Sequence, residues 1–138
     1  QVQLIFDSNY RPYLWEDHAT AHKIIAGFWQ RADISLPSID DEMEIFGQTE
    51  AQVVQRFLTQ AKSGALKRGA RGPLSLGTPV VAQYEPVTEV LDTTAAGDSF
   101  NGGYLGALLS GKGQAAALQA GHALAAQVVQ YRGAIIPK

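Results

Sequence analysis

Short apolar runs alternate with amphipathic helical stretches along the first half of the chain, and this alternation restricts the fold more than any other feature. Val2 to Phe6 is an apolar run ending in Asp7-Ser8-Asn9, which reads as a buried strand with polar groups at its carboxyl end. From about Glu16 to Ala32, residues Ala21, Ile24, Ile25, Phe28 and Trp29 recur at helical spacing. Ile34 to Leu36 predicts a second strand, stopped by Pro37. Ser38-Ile39-Asp40-Asp41 has the form of a capping box with Asp in place of Glu or Gln, opening a short helix that ends at Gly47. Glu50 to Ser63 carries Val53, Val54, Phe57, Leu58 and Ala61 as a further amphipathic helix closed by Gly64. Ala65 to Leu91, rich in Gly, Pro and β-branched residues, predicts three or four short strands with tight turns. Two helices follow, Gly97 to Ser110 and an Ala-packed Gln114 to Tyr131. The implied class is α/β, a layered sheet with helices on both faces, with no internal repeat and no dividing linker.

Composition narrows the functions. The 138 residues are 46% apolar and 17% charged, enough for a core and too apolar for a disordered chain. The net charge of −2 supplies no basic excess for nucleic acid or for an anionic membrane surface. No apolar run approaches a transmembrane helix. Zero cysteines exclude a disulfide scaffold, a thiolate zinc site and a cysteine nucleophile, and point to a reducing, cytoplasmic setting. The start, Gln-Val-Gln-Leu-Ile-Phe, has no basic n-region or cleavage site and so does not read as a signal peptide. The lone methionine is Met43 and residue 1 falls within the first strand run, which together suggest a fragment or a processed chain.

Chemistry concentrates in Asp92-Thr93-Thr94-Ala95-Ala96-Gly97-Asp98-Ser99-Phe100-Asn101-Gly102-Gly103. A strand ending at Leu91 would run through small residues into a helix. The amides of Ala95, Ala96 and Gly97 would then face out of the helix N-terminus as an anion hole. Asp98 falls at the rim of that pocket. A carboxylate there suits a general base that takes a proton from a hydroxyl attacking a phosphoryl group. It equally suits simple complementation of the helix dipole, and physics alone leaves the two readings level.

Residues 92–100 resemble the C-terminal signature of the ribokinase-like sugar kinases, the PfkB family, whose usual core is Gly-Ala-Gly-Asp; here Ala95 replaces the first Gly. Phe6-Asp7-Ser8-Asn9-Tyr10-Arg11-Pro12-Tyr13-Leu14-Trp15 resembles the Asp-x-Asn-x-Arg-x-x-Leu-Trp run of the 2-keto-3-deoxygluconate kinase branch. Lys67-Arg68-Gly69-Ala70-Arg71-Gly72 matches the nucleotide-loop pattern Lys-x-Gly-x-x-Gly, and Gln130-Tyr131-Arg132-Gly133-Ala134-Ile135-Ile136-Pro137 is similar to the tail of that branch. The resemblance covers all 138 residues in family order and corresponds to the C-terminal half of such a kinase. It implies a three-layer, Rossmann-like sheet represented by its C-terminal portion. Residues 1–138 would be the nucleotide-binding and catalytic part, without the N-terminal half and the lid.

The resemblance also implies roles. Asp98 would be the base for the C6 hydroxyl of 2-keto-3-deoxy-D-gluconate, and Ala95, Ala96 and Gly97 the anion hole. Arg11 would hold the sugar-acid carboxylate, a structural ion pair being its alternative. Asn9, Lys67, Gly69, Ala70 and Gly72 would serve ATP, although Lys67–Gly72 also reads as an ordinary tight turn. His122 would lie near the adenine, or be a buried helix histidine. Mg2+ would arrive with ATP rather than in a protein cage. The family's Asn-x-x-Glu motif falls on Ser38-Ile39-Asp40-Asp41, so Asp41 would reach the metal through water or serve only the helix cap. His18 and His22 have i, i+4 spacing, yet with no third ligand they read as solvated or packed. Two other functions compete: a non-catalytic nucleotide-binding fragment or scaffold, and a related kinase for fructose, ribose or a nucleoside. A homo-oligomer is compatible with all three.

Overall fold

Three short apolar segments lie side by side as parallel strands in the computed structural model, which describes residues 2–136. They are β1 (Ile5–Phe6), β2 (Ile34–Ser35) and β3 (Gly64–Leu66); β4 (Leu74–Leu76) joins β3 antiparallel, giving the order β1-β2-β3-β4. The register pairs Ile5 with Ile34, Ser35 with Gly64, and Ala65 with Ser75. Helix α1 (His18–Arg31) connects β1 to β2, and α2 (Ile39–Phe46) and α3 (Glu50–Gln60) connect β2 to β3. These elements make one unit, residues 2–68 with 74–79. Its core is Ile25, Trp29, Ile39, Ile45, Val53, Phe57, Leu66 and Leu76, with Tyr10 drawn in from the loop after β1.

The second unit comprises residues 69–73 and 80–136. It is built on α4 (Ala96–Leu109) and α5 (Gln114–Val128). The two helices approach so closely that a Cβ on Gly103 would sit 2.6 Å from the Ala120 carbonyl oxygen, and one on Gly121 would sit 2.8 Å from the Phe100 ring. Glycine is therefore a packing requirement at both crossing points. Gln1, Pro137 and Lys138 lie outside the described residues, and with them the end of the tail motif at Pro137.

Several expectations from the sequence are corrected. The first strand is Ile5–Phe6 rather than Val2–Phe6, because the Leu4 amide donates to the Asp33 carboxylate (2.9 Å) instead of to a neighbouring strand. The first helix starts at His18, where Asp17 caps it by accepting from Thr20 N. Helix α3 ends at Gln60, and Gly64 belongs to β3, where its backbone closes on Ser35. The capping box at Ser38–Asp41 does not form: the Ser38 side chain makes no cap bond, and Asp41 accepts from Tyr10 N instead. A complete capping box stands instead at Thr49 and Gln52. Residues 65–91 hold two strands, not three or four, and none ends at Leu91. The Leu91 and Asp92 amides both donate to the Val129 carbonyl beyond α5 (2.8 and 3.2 Å), which removes them from any ladder.

Candidate active site

In the first unit, the carboxyl ends of the three parallel strands carry the polar residues. Asp7 follows β1, Ser38 lies beyond β2, and Lys67 follows β3. Ligands of open α/β sheets bind at that edge. Lys67 Nζ pairs with Asp7 Oδ2, and both side chains are mostly shielded from solvent. The Lys67 backbone continues the sheet, its amide donating to Pro37 O (2.8 Å) and its carbonyl accepting from Ile39 N (2.9 Å). Asn9 adopts φ +37, a left-handed geometry that Asn tolerates, and its amide donates to Asp7 Oδ1 at 3.0 Å. Arg11 follows, exposed, and its guanidinium has no partner among the described residues.

Behind this loop lies a buried polar cluster. Glu42 is fully buried; its Oε1 accepts from Ser8 Oγ (3.0 Å) and Trp29 Nε1 (3.2 Å), and its Oε2 accepts from Arg56 Nη2 (2.9 Å). Arg56 is sandwiched between the rings of Phe46 and Phe57, at 4.2 and 4.5 Å. Burial raises the Glu42 carboxyl above its usual range, opposed by the hydrogen bonds and charge of Arg56 and by the hydroxyl and indole. Asp41 is also raised, chiefly by burial, with the Tyr10 amide pulling it back.

In the second unit, Ala95 is the N-cap of α4 and holds the left-handed geometry, φ +60 and ψ 12. The Ala96 amide closes a turn onto Thr93 O (3.2 Å) and so is withdrawn from the expected anion hole. The Ala95 and Gly97 amides have no acceptor among the described residues. Asp98 stands exposed in the first turn of the same helix. Asp92 anchors the approach: its carboxylate accepts from Thr94 N (2.8 Å) and Gly133 N (2.8 Å). These bonds, with the Thr94 side chain foremost, lower its pKa to about 2. Gly69, Ala70 and Arg71 form a 3-10 turn, and the Gly72 amide closes it on Gly69 O (3.1 Å). Gly72, at φ +75, is covered by the Tyr84 ring, which leaves no room for a Cβ. The same ring lies 5.0 Å from His122, whose Nε2 meets Glu85 O at 2.8 Å. Tyr84 thus joins two of the residues expected to serve ATP.

A family model described as pfkB family carbohydrate kinase matches residues 1–138. The chain belongs to that family. It is 38% identical to the 2-dehydro-3-deoxygluconokinase of Escherichia coli strain K12, over 99% of this chain and 46% of that protein. The chain therefore spans about half the length of such relatives. Among solved structures, an aminoimidazole riboside kinase from Salmonella enterica, complexed with aminoimidazole riboside and an ATP analogue, matches with a TM-score of 0.83. It is 27% identical, over 96% of this chain and 47% of that one. A putative ribokinase II from E. coli, in complex with ATP and Mg2+, matches at 0.77 with 26% identity, over 96% and 44%. The fold class is the ribokinase-like α/β class, a mixed sheet flanked by helices. Its enzymes are phosphotransferases acting on carbohydrates.

Within that family frame, the structure brings Asn9, Arg11, Lys67 and Asp41 to one end of the first unit's sheet. It places Ala95, Gly97 and Asp98 at one helix start in the second. No group of three or more His, Asp or Glu converges as a metal cage among the described residues. Asp41 offers one carboxylate whose Oδ1 accepts no hydrogen bond there, a donor that fits a water-mediated contact with a divalent cation and not a ligand cage. No helix among them is long and apolar enough to cross a membrane. Sequence reasoning missed Glu42, Arg56 and Tyr84. The spacing of Trp29, Glu42 and Arg56 has no period, so only the tertiary fold reveals the cluster.

Proposed function

We propose that this chain is the C-terminal nucleotide-binding and catalytic portion of a kinase that phosphorylates the C6 hydroxyl of 2-keto-3-deoxy-D-gluconate with ATP. The observation that carries the reading is Asp98 in the first turn of α4, beside the unengaged Ala95 and Gly97 amides. The substrate class comes from the 38% identical 2-dehydro-3-deoxygluconokinase. The hydroxyl oxygen bonds to the γ-phosphorus, the bond from phosphorus to the ADP oxygen breaks, and Asp98 takes the hydroxyl proton. The Ala95 and Gly97 amides stabilise charge on the transferred group. Arg11, its guanidinium without a partner among the described residues, suits a bidentate grip on the sugar-acid carboxylate. Gly69, Ala70 and Gly72 would hold the nucleotide, and His122 with Tyr84 would serve its base. Mg2+ would arrive with ATP and would neutralise charge on the phosphate oxygens, and Asp41 is the residue that would hold one of its waters. The kinase is cytoplasmic, and a homo-oligomer is compatible with this reading.

A coupled ADP-release assay with ATP, Mg2+ and the sugar acid tests it, beside Asp98→Asn. Loss of a general base is expected to lower kcat by about 10²–10⁴-fold. Full activity in Asp98→Asn would remove Asp98 from the mechanism. One observation favours a second reading, a nucleotide-binding module without turnover: Gly72, Tyr84 and His122 stand together in the second unit. ADP binding without turnover by these 138 residues would favour it. Fructose, ribose and nucleosides in the same assay separate the neighbouring specificities.

A further inference from the structure

We infer that Glu42 is a positioning residue for the loop carrying Arg11, fixing the backbone from which the guanidinium reaches a carboxylate. The inference rests on the proposed function, because it takes Arg11 as the carboxylate-binding group. Between β1 and the 3-10 turn at Pro12–Leu14, residues 7 to 10 are each held from outside the loop or within it. Asp7 is paired with Lys67. Ser8 Oγ donates to Glu42 Oε1 at 3.0 Å. The Asn9 amide donates to Asp7 Oδ1, and the Tyr10 amide to Asp41 Oδ2 at 3.3 Å. The Tyr10 side chain is buried in the core. The next residue, Arg11, is exposed and its guanidinium is unpaired among the described residues. A loop fastened at four consecutive positions thus ends in one uncommitted cation.

The anchor itself cannot swing. Glu42 is held by Trp29 and by Arg56, and Arg56 is gripped by two aromatic rings and by Gln48 Oε1 at 2.9 Å. A buried ion pair is a poor device for stability alone, since well-packed apolar residues often do as well or better. What it adds here is a fixed acceptor for Ser8, on the same helix turn as the Asp41 acceptor for Tyr10. Preorganisation of this kind lowers the ordering cost of binding.

The test is steady-state kinetics of the complete kinase. Ser8→Ala removes the loop's hydroxyl and leaves Glu42 with Trp29 and Arg56, so the fold is not at risk. The sugar-acid KM is expected to rise roughly tenfold, the scale of one hydrogen bond to a charged acceptor. The values of kcat and of the ATP KM should stay within about twofold, and Ser8→Thr should restore the KM. In an Arg11→Ala background, Ser8→Ala should add nothing, since both changes act through one guanidinium. An Arg11→Ala variant with a raised sugar-acid KM beside a normal Ser8→Ala would overturn the positioning role and leave the proposed function standing. An unchanged KM in Arg11→Ala would overturn the role of Arg11 and the inference together. Absence of sugar-acid turnover in the unsubstituted kinase would overturn the proposed function itself.

Discussion

Ala95 holds a backbone geometry that alanine adopts only at a cost, φ +60 at the start of α4. The Ala95 and Gly97 amides stand at this helix start, where the first amides have no carbonyl within the helix to bond. Glycine would take the same geometry without its Cβ contact. Ala95→Gly is therefore expected to stabilise the protein by about 1 kcal/mol, read as a higher urea midpoint at unchanged slope. An unchanged or lower midpoint would mean the strain is not there. The sequence showed that the family's first motif glycine is alanine here and that the amide survives. The backbone demand was legible only indirectly, in the kind of residue the family pattern prefers at that place. Asp98 was legible because its position follows from where the helix begins. Glu42 was not, because Asp40-Asp41-Glu42 looks like a solvated acidic first turn; its burial comes from Ser8, Trp29 and Arg56, each distant along the chain.

The four longer helices were legible in the sequence, α1 and α3 by their apolar period and α5 by its alanine content. Helices α1, α3 and α5 lie within the expected spans, and α4 begins one residue before its span, so their errors are fraying at the ends. From Gly77 to Leu91 no strand forms, because β-branched content favours strand while a strand also needs a partner ladder. Here the backbone amides of Leu91 and Asp92 find a helix-end carbonyl instead. The contact between α4 and α5 gives a sharper element-level expectation. Gly103→Ala places a methyl 2.6 Å from the Ala120 carbonyl, and is expected to cost about 1–3 kcal/mol as the helices part. Its neighbour Gly102 faces open space, so Gly102→Ala is expected to stabilise α4 by roughly 0.5–1 kcal/mol through helix propensity alone. Thermal or urea unfolding of the two variants checks the sign of each. Equal effects would show that the close crossing does not constrain this pair.

At the scale of the whole molecule, the first unit ends its sheet on an exposed strand. Among the described residues, β1 has a ladder partner on one side only, β2. Ile5 on that strand is 39% exposed, and Ile24 and Phe28 of α1 are 42% and 38% exposed, with Phe28 stacked on Phe6 at 4.9 Å. Parallel strands are ordinarily covered on both sides, and an open edge with apolar neighbours invites a second chain. These 138 residues are expected to self-associate through this edge. Sedimentation velocity over a rising concentration series should show the monomer giving way to larger species. Ile5→Lys puts a charge on the edge and should shift that equilibrium back toward monomer without altering far-ultraviolet circular dichroism. A monomer at every concentration would show that the edge is not sticky. Association unchanged by Ile5→Lys would place the contact elsewhere on the chain.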